Sequence, residues 1–166
     1  MMNTLRAFVF IVLAATIVTS CANETPEYVA QRITLRDLNT AAGYVWFPLE
    51  VAAYTPNPEM VNVIRQGFGS DRKIVLFVRP TCSCKGTQRL FPHVMKTFSE
   101  AGVDTSAVEV YSVRGTSDRH PYQDRITLSA LPAFFQIRND VVTTFIDEAN
   151  YNGMNADTLI ANAIGR

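Results

Sequence analysis

The sequence predicts an α/β domain in which a central mixed β-sheet is flanked by helices on both faces. Three observations point there. Lys73 to Arg79 (KIVLFVR) is a continuous apolar run bounded by charges, the pattern of a strand buried on both faces. Directly after it, Leu90, Phe91, Val94, Met95 and Phe98 form an amphipathic helical stripe. Further on, Ala133 to Arg138 (AFFQIR) and Val141 to Asp147 (VVTTFID) read as strands separated only by Asn139-Asp140, the signature of a tight hairpin.

Composition agrees with a single folded domain. Of 166 residues, 48% are hydrophobic, 18% charged and 10% aromatic, which excludes a disordered chain, a collagen-like repeat and a polytopic membrane protein. Fifteen basic residues balance fifteen acidic ones, so there is no basic excess to attract nucleic acid. Three cysteines are too few for a disulfide scaffold, and each needs its own explanation.

The elements follow in chain order. Tyr28 to Gly43 places Tyr28, Val29, Ile33, Leu35 and Leu38 without a clean period, and no element is assigned there. Tyr44 to Tyr54 (YVWFPLEVAAY) is aromatic and β-branched enough for a strand, interrupted by Pro48; Trp46 and Phe47 are expected to pack an edge of the sheet. Asn57-Pro58-Glu59 supplies a cap, a first-turn proline and a first-turn acid, opening a helix that carries Val61, Ile64 and Phe68 and stops at Gly67 to Ser70. After the Lys73–Arg79 strand, Pro92 lies inside the next helical pattern and should bend it. Val108 to Val113 is another strand, and Pro121 to Ser129 reads as a short helix. Asn155 caps a final helix containing Leu159, Ile160 and Ile164, with Gly165 at its end.

The N-terminus reads as an address. Ala7 to Val18 is an unbroken run of twelve apolar residues after Arg6, too short to span a bilayer comfortably but right for a signal-peptide core. It ends in Val18-Thr19-Ser20-Cys21, which resembles the lipobox of bacterial lipoproteins. That resemblance implies cleavage before Cys21, acylation of its sulfur and a membrane partner through the lipid anchor, on the periplasmic or outer side of the cell envelope. Ala22, where an Asp favours inner-membrane retention, points to the outer membrane. A plain secretory signal and an uncleaved anchor are the alternatives. Residues 1–20 are thus read as a lipoprotein signal peptide. Residues 21–43 comprise the lipidated cysteine, the polar tether Ala22 to Pro26 and the unassigned segment, and residues 44–166 form the domain.

Chemistry concentrates at Pro80-Thr81-Cys82-Ser83-Cys84, in the turn between the buried strand and the amphipathic helix. A helix N-terminus stabilises a thiolate through its unpaired N–H groups and dipole, and Arg79 and Lys85 lie close by. Two thiols this near can act in turn, one forming a mixed disulfide and the other resolving it.

The cysteine pair at a strand-to-helix turn, the proline within the helix and the closing β-β-α resemble the thioredoxin family from Tyr44 to Arg166. Ser129-Ala130-Leu131-Pro132 is similar to that family's cis-proline loop. The resemblance implies thiol–disulfide exchange with protein thiols or disulfides, served by an upstream thiol redox partner and needing no cofactor. Cys82 would be the nucleophile and Cys84 the resolving thiol. Pro132 would be the cis-proline, with Leu131 and Thr81 at the substrate. The sequence departs from the family pattern in three places. Only Ser83 separates the cysteines, Thr81 stands where an aromatic residue is common, and Leu76 occupies the position of a frequent buried Asp. A bridge across one residue closes a tighter ring, which implies a couple less reducing than a typical thioredoxin.

Other readings compete. Cys-x-Cys can chelate Cu(I), with His93 or Met95 as conceivable extra ligands, although both lie two or more turns further along the helix. A redox-silent scaffold that works through protein contact is the third class. His93 is otherwise expected on the helix surface, Met95 in the core and His120 in a solvated loop. Arg114, Arg119 and Arg125 form a basic cluster in the loop opposite the site, solvated by default. With two histidines and no Gly-rich phosphate loop, hydrolase and nucleotide-binding readings have nothing to hold.

Overall fold

The computed structural model describes residues 28–147, 151 and 155–165. The expected signal peptide, Cys21 and the tether lie outside the described residues. Strand β1 (Gln31–Ile33) leads into α1 (Leu35–Thr40), and a 3-10 turn at Ala42–Tyr44 precedes α2 (Trp46–Ala53) and α3 (Pro58–Gly67). Then come β2 (Arg72–Val78), a π turn at Gly86–Leu90 continuing into α4 (Phe91–Ala101), and β3 (Val108–Ser112). The hairpin β4 (Ala133–Arg138) and β5 (Val141–Asp147) and the helix α5 (Ala156–Ile164) close the chain.

The five strands form one mixed sheet in the order β1-β3-β2-β4-β5, with β2 at its centre. β2 runs parallel to β3 and antiparallel to β4, while β1 and β5 pair antiparallel at the two edges. Side-chain alternation divides the core in two. Ile74, Leu76 and Val78 of β2, with Val110 and Phe134, face the helices. Val75 and Phe77, with Tyr111, Ala133, Phe135 and Ile137, face the other way.

Two expectations are corrected here. Tyr44 to Tyr54 is helical, not a strand. Phe47, Val51 and Tyr54 recur at i, i+4 and i+7 and pack into the helix-side core, so helical burial outweighs the aromatic and β-branched composition. Pro48 is tolerated because it lies in the first turn, where backbone N–H groups have no intrahelical partner anyway. Trp46 and Phe47 do pack, but against Phe91 of α4, with ring centroids 6.4 and 5.3 Å away. The unassigned segment holds β1 and α1, the latter fixed by a capping box. Thr34 N–H donates to Asp37 Oδ2 at 2.8 Å, and Asp37 N–H donates to Thr34 Oγ1 at 3.1 Å.

The second correction concerns the far face. Among the described residues the helices pack on one face only. The opposite face is closed by the irregular segment 119–131, where a helix was expected over Pro121 to Ser129. One helical turn forms, Ile126 N–H to Tyr122 C=O at 2.7 Å, and does not propagate. Its buried residues explain why: Tyr122 and Ile126 are four apart, but Leu128 follows only two later, a spacing that a helix would turn outward.

A buried carboxylate anchors that segment. Glu109 of β3 accepts hydrogen bonds from Tyr122 Oη at 2.7 Å and Tyr111 Oη at 2.9 Å, with Lys73 Nζ at 3.3 Å. Burial pushes its pKa up, but the bonds from Tyr122, Tyr111 and Lys73 together outweigh this and hold it below the ordinary glutamate range. At the other end, Asn139 (φ 48°) and Asp140 (φ 62°) make the two-residue hairpin turn in the left-handed region that Asn and Asp tolerate. Asp157, 1% exposed, joins α5 to α3: its carboxylate accepts the N–H of Asn57, the α3 cap, at 2.6 Å. No helix among the described residues is long and apolar enough to cross a membrane.

Tyr122→Phe should lower stability by about 2 kcal/mol at neutral pH, read from urea unfolding, because it removes a donor to a buried charge. Glu109 has a depressed folded pKa, so its contribution is full above the unfolded value and is lost as pH falls through the folded one. Tyr122→Phe should therefore also flatten the loss of stability on acidification. A variant as stable as the parent, with an unchanged acid profile, contradicts the anchor.

Candidate active site

The site is built where β2 ends. Val75, Leu76, Phe77 and Val78 are fully buried, and Val78 is followed by Arg79, which is exposed. Cys82 N–H donates to Arg79 C=O at 3.0 Å, closing a tight turn. Cys84 C=O then accepts Gln88 N–H at 3.0 Å, so Cys84 sits at the start of the helix that continues into α4. Leu90, Phe91, Val94 and Phe98 bury that helix against the sheet.

Pro92 acts upstream of itself. It offers no N–H to Gln88 C=O and its ring crowds that carbonyl. The preceding turn is widened into the π turn, in which Phe91 N–H reaches Gly86 C=O. The expected bend is thus a π turn between the cysteines and Pro92.

Cys82 and Cys84 are joined as a disulfide, with Cα atoms 5.2 Å apart, and both are partly exposed. The two sulfurs have different neighbours. Cys84 N–H donates to Cys82 Sγ at 3.2 Å, whereas Cys84 Sγ lies 3.3 Å from Thr87 Oγ1. Thr87 is fully buried and was not singled out in the sequence; its place three residues after Cys84 on a helix was the available signal. Thr81 is exposed beside the pair.

Pro132 is buried, its bond to Leu131 is cis, and it immediately precedes β4. The register pairs Ala133 with Phe77, which places Pro132 at the same end of the sheet as the Cys82 turn. Leu131 is partly buried against the far-side core.

The remaining candidates are distributed elsewhere, and three expectations change. His93 is not a free surface residue: it stacks on Tyr54 at 3.9 Å, with Nε2 3.7 Å from Glu50 Oε2 and Nδ1 3.4 Å from Tyr151 Oη. Burial lowers its pKa, and Glu50 opposes that shift. Met95 is in the core as expected. His120 is buried rather than solvated, 4.6 Å from Phe77 between ring centroids, and its Nδ1 accepts Tyr122 N–H at 3.3 Å. Burial lowers its pKa too, opposed by Asp124. The three arginines do not form one cluster. Arg114 covers the Tyr28 ring at 3.9 Å near the cysteine end. Arg125 pairs at 3.2 Å with Asp140 in the hairpin turn at the opposite end, and Arg119 holds Tyr28 and Ala30 through its backbone. Among the described residues no group of three or more His, Cys, Asp or Glu side chains is arranged to hold a metal.

Comparison with protein-family models and with curated proteins finds no match for this chain.

Proposed function

We propose that this protein carries out thiol–disulfide exchange outside the cytoplasm, on a thioredoxin-like domain tethered to the membrane by lipid. The observation that carries the reading is the partly exposed Cys82–Cys84 disulfide, held where the central strand passes into a helix. Support also comes from the Leu131–Pro132 loop, which the register brings to the same end of the sheet, and from the closing β4-β5-α5.

Cys82 is the nucleophile. Its thiolate attacks one sulfur of a substrate disulfide, forming a Cys82–substrate bond and releasing the other substrate sulfur as thiolate. Cys84 thiolate then attacks Cys82 Sγ. The Cys82–Cys84 bond forms, the Cys82–substrate bond breaks, and the second substrate sulfur leaves. The protein dithiol is oxidised by two electrons as the substrate disulfide is reduced, and the reverse sequence oxidises a substrate dithiol. An external thiol partner resets the pair. Thr81 and Leu131 flank the approaching chain, and Pro132 shapes the groove. The single-residue spacing makes the couple less reducing than a typical thioredoxin, suited to oxidation or isomerisation of disulfides.

The lipid tether rests on Val18-Thr19-Ser20-Cys21 after the apolar run. Residues 22–27 reach at most about 20 Å, so the domain works close to the bilayer.

Cys84→Ser should accumulate mixed disulfides between Cys82 and envelope proteins, seen as reducible higher-mass species, and Cys82→Ser should accumulate none. Equal absence from both variants contradicts exchange. Selective weakening of Cu(I) uptake without trapped partners would place metal binding first. Radiolabelled palmitate should enter the wild-type chain in a bacterial host and not Cys21→Ala; equal labelling of both removes the anchor.

A further inference from the structure

A helical threonine ordinarily turns its hydroxyl back to the carbonyl four residues earlier. Thr97 does this, donating to His93 C=O at 2.8 Å. Thr87 is equally buried, yet among the described residues its hydroxyl has one hydrogen-bond partner, the sulfur of Cys84, at 3.3 Å. Thr87 lies in the first helical turn, where the residue four before it, Ser83, is still ahead of the helix, and its fully buried hydroxyl is directed at the Cys84 sulfur.

We propose that Thr87 is a positioning residue for the resolving thiol: its buried hydroxyl donates to Cys84 Sγ and stabilises the thiolate that attacks Cys82. The assignment rests on the exchange reading above and gives each sulfur its own donor. Cys82 Sγ accepts from the Cys84 backbone N–H, and Cys84 Sγ, which carries no proton while bonded to Cys82, can only accept from the Thr87 hydroxyl 3.3 Å away. A hydroxyl donates weakly to a disulfide sulfur and strongly to a thiolate, because the second bond is charge-assisted. Thr87 therefore favours the reactive form of Cys84 over its bonded form. Leu76, buried on the helix side of β2, supplies no polar group to share that task. The charged side chains nearest in sequence are Lys85 and Arg89 on its own helix and Arg79 before it, while Glu50 on the packed α2 faces His93. Among the described residues none of them hydrogen-bonds either sulfur.

In the resolving step, Cys84 thiolate forms the bond to Cys82 Sγ while the Cys82–substrate bond breaks, and the substrate sulfur departs as thiolate and takes a proton from water. Thr87 keeps its own proton throughout, so its effect is on the stability and aim of the attacking sulfur. Attack by Cys82 on the first disulfide does not involve it.

The test uses the purified full chain in detergent. Thr87→Val removes the hydroxyl at nearly constant shape, and Thr87→Ser returns it. With glutathione disulfide as the probe, Thr87→Val should resolve the Cys82–glutathione adduct about tenfold more slowly. Formation of that adduct should be unchanged within about twofold, and Thr87→Ser should recover most of the resolution rate. In the Cys82→Ser background, thiolate absorbance should place the Cys84 pKa about one unit higher with Thr87→Val. Unchanged resolution and titration overturn the proposal, as does Thr87→Ser behaving like Thr87→Val. If glutathione disulfide neither forms an adduct with the reduced wild-type chain nor oxidises it to the Cys82–Cys84 disulfide, the exchange reading falls, while the Cys84 titration still decides whether Thr87 supports that thiolate.

Discussion

The burial of β2 on both faces is the constraint on which the rest of the structure depends. Four consecutive residues, Val75 to Val78, have no contact with solvent; Val75, Leu76 and Phe77 pair with both β3 and β4, and Val78 with β3. Such a strand cannot drift in register without turning a set of buried side chains over. On the other side of the turn, Leu90, Phe91, Val94 and Phe98 fix the helix against the same core with comparable stringency. The cysteines lie in the short connection between these two anchored elements. Their separation, their partial exposure and their relation to the helix start all follow from elements they do not belong to.

The same strand organises the two unlike faces. On one side, helices bring their apolar stripes to Ile74, Leu76 and Val78, and Asp157 links the starts of α3 and α5 through the Asn57 N–H. On the other, Val75 and Phe77 are covered by a segment without regular structure. It holds its place by inserting Tyr122, Ile126 and Leu128 and by delivering the Tyr122 hydroxyl to Glu109. That segment ends at Leu131-Pro132, beside the C-terminal end of β2. The Tyr122–Glu109 bond thus holds the earlier part of the segment whose end is the Leu131–Pro132 loop.

How much of this was legible in the sequence varies by element for physical reasons. The β2 run, the α3 cap at Asn57-Pro58-Glu59, the α4 stripe and the Asn139-Asp140 hairpin each carry a local signal that tertiary contacts reinforce, and they form as read. Tyr44 to Tyr54 carries conflicting signals: its composition suits a strand while its buried residues keep a helical period, and burial decides. Tyr122 to Leu128 fails for the converse reason, since a helical first spacing gives way to an extended one. The one-face disposition of the helices could not be read locally, because it depends on that segment replacing a helix. At the site, Cys82, Cys84 and Pro132 were visible from residue type and position. Thr87 was not singled out, because its place three residues after Cys84 gains meaning only once its hydroxyl is seen against the sulfur. His93 and His120 were read as exposed because the rings that bury them, Tyr54 and Phe77, come from distant parts of the chain.

Thiol–disulfide exchange requires that Cys82 and Cys84 form a reversible redox couple. The direct measurement equilibrates the purified chain across graded glutathione buffers, alkylates the free thiols and counts them at each potential by mass. The account predicts one two-electron transition at Cys82 and Cys84, with a midpoint less reducing than the roughly −270 mV of a thioredoxin. Thiols that stay free across the whole range, or that never reduce, would contradict the exchange function. A midpoint at or below the thioredoxin value would contradict the effect assigned to the single-residue spacing.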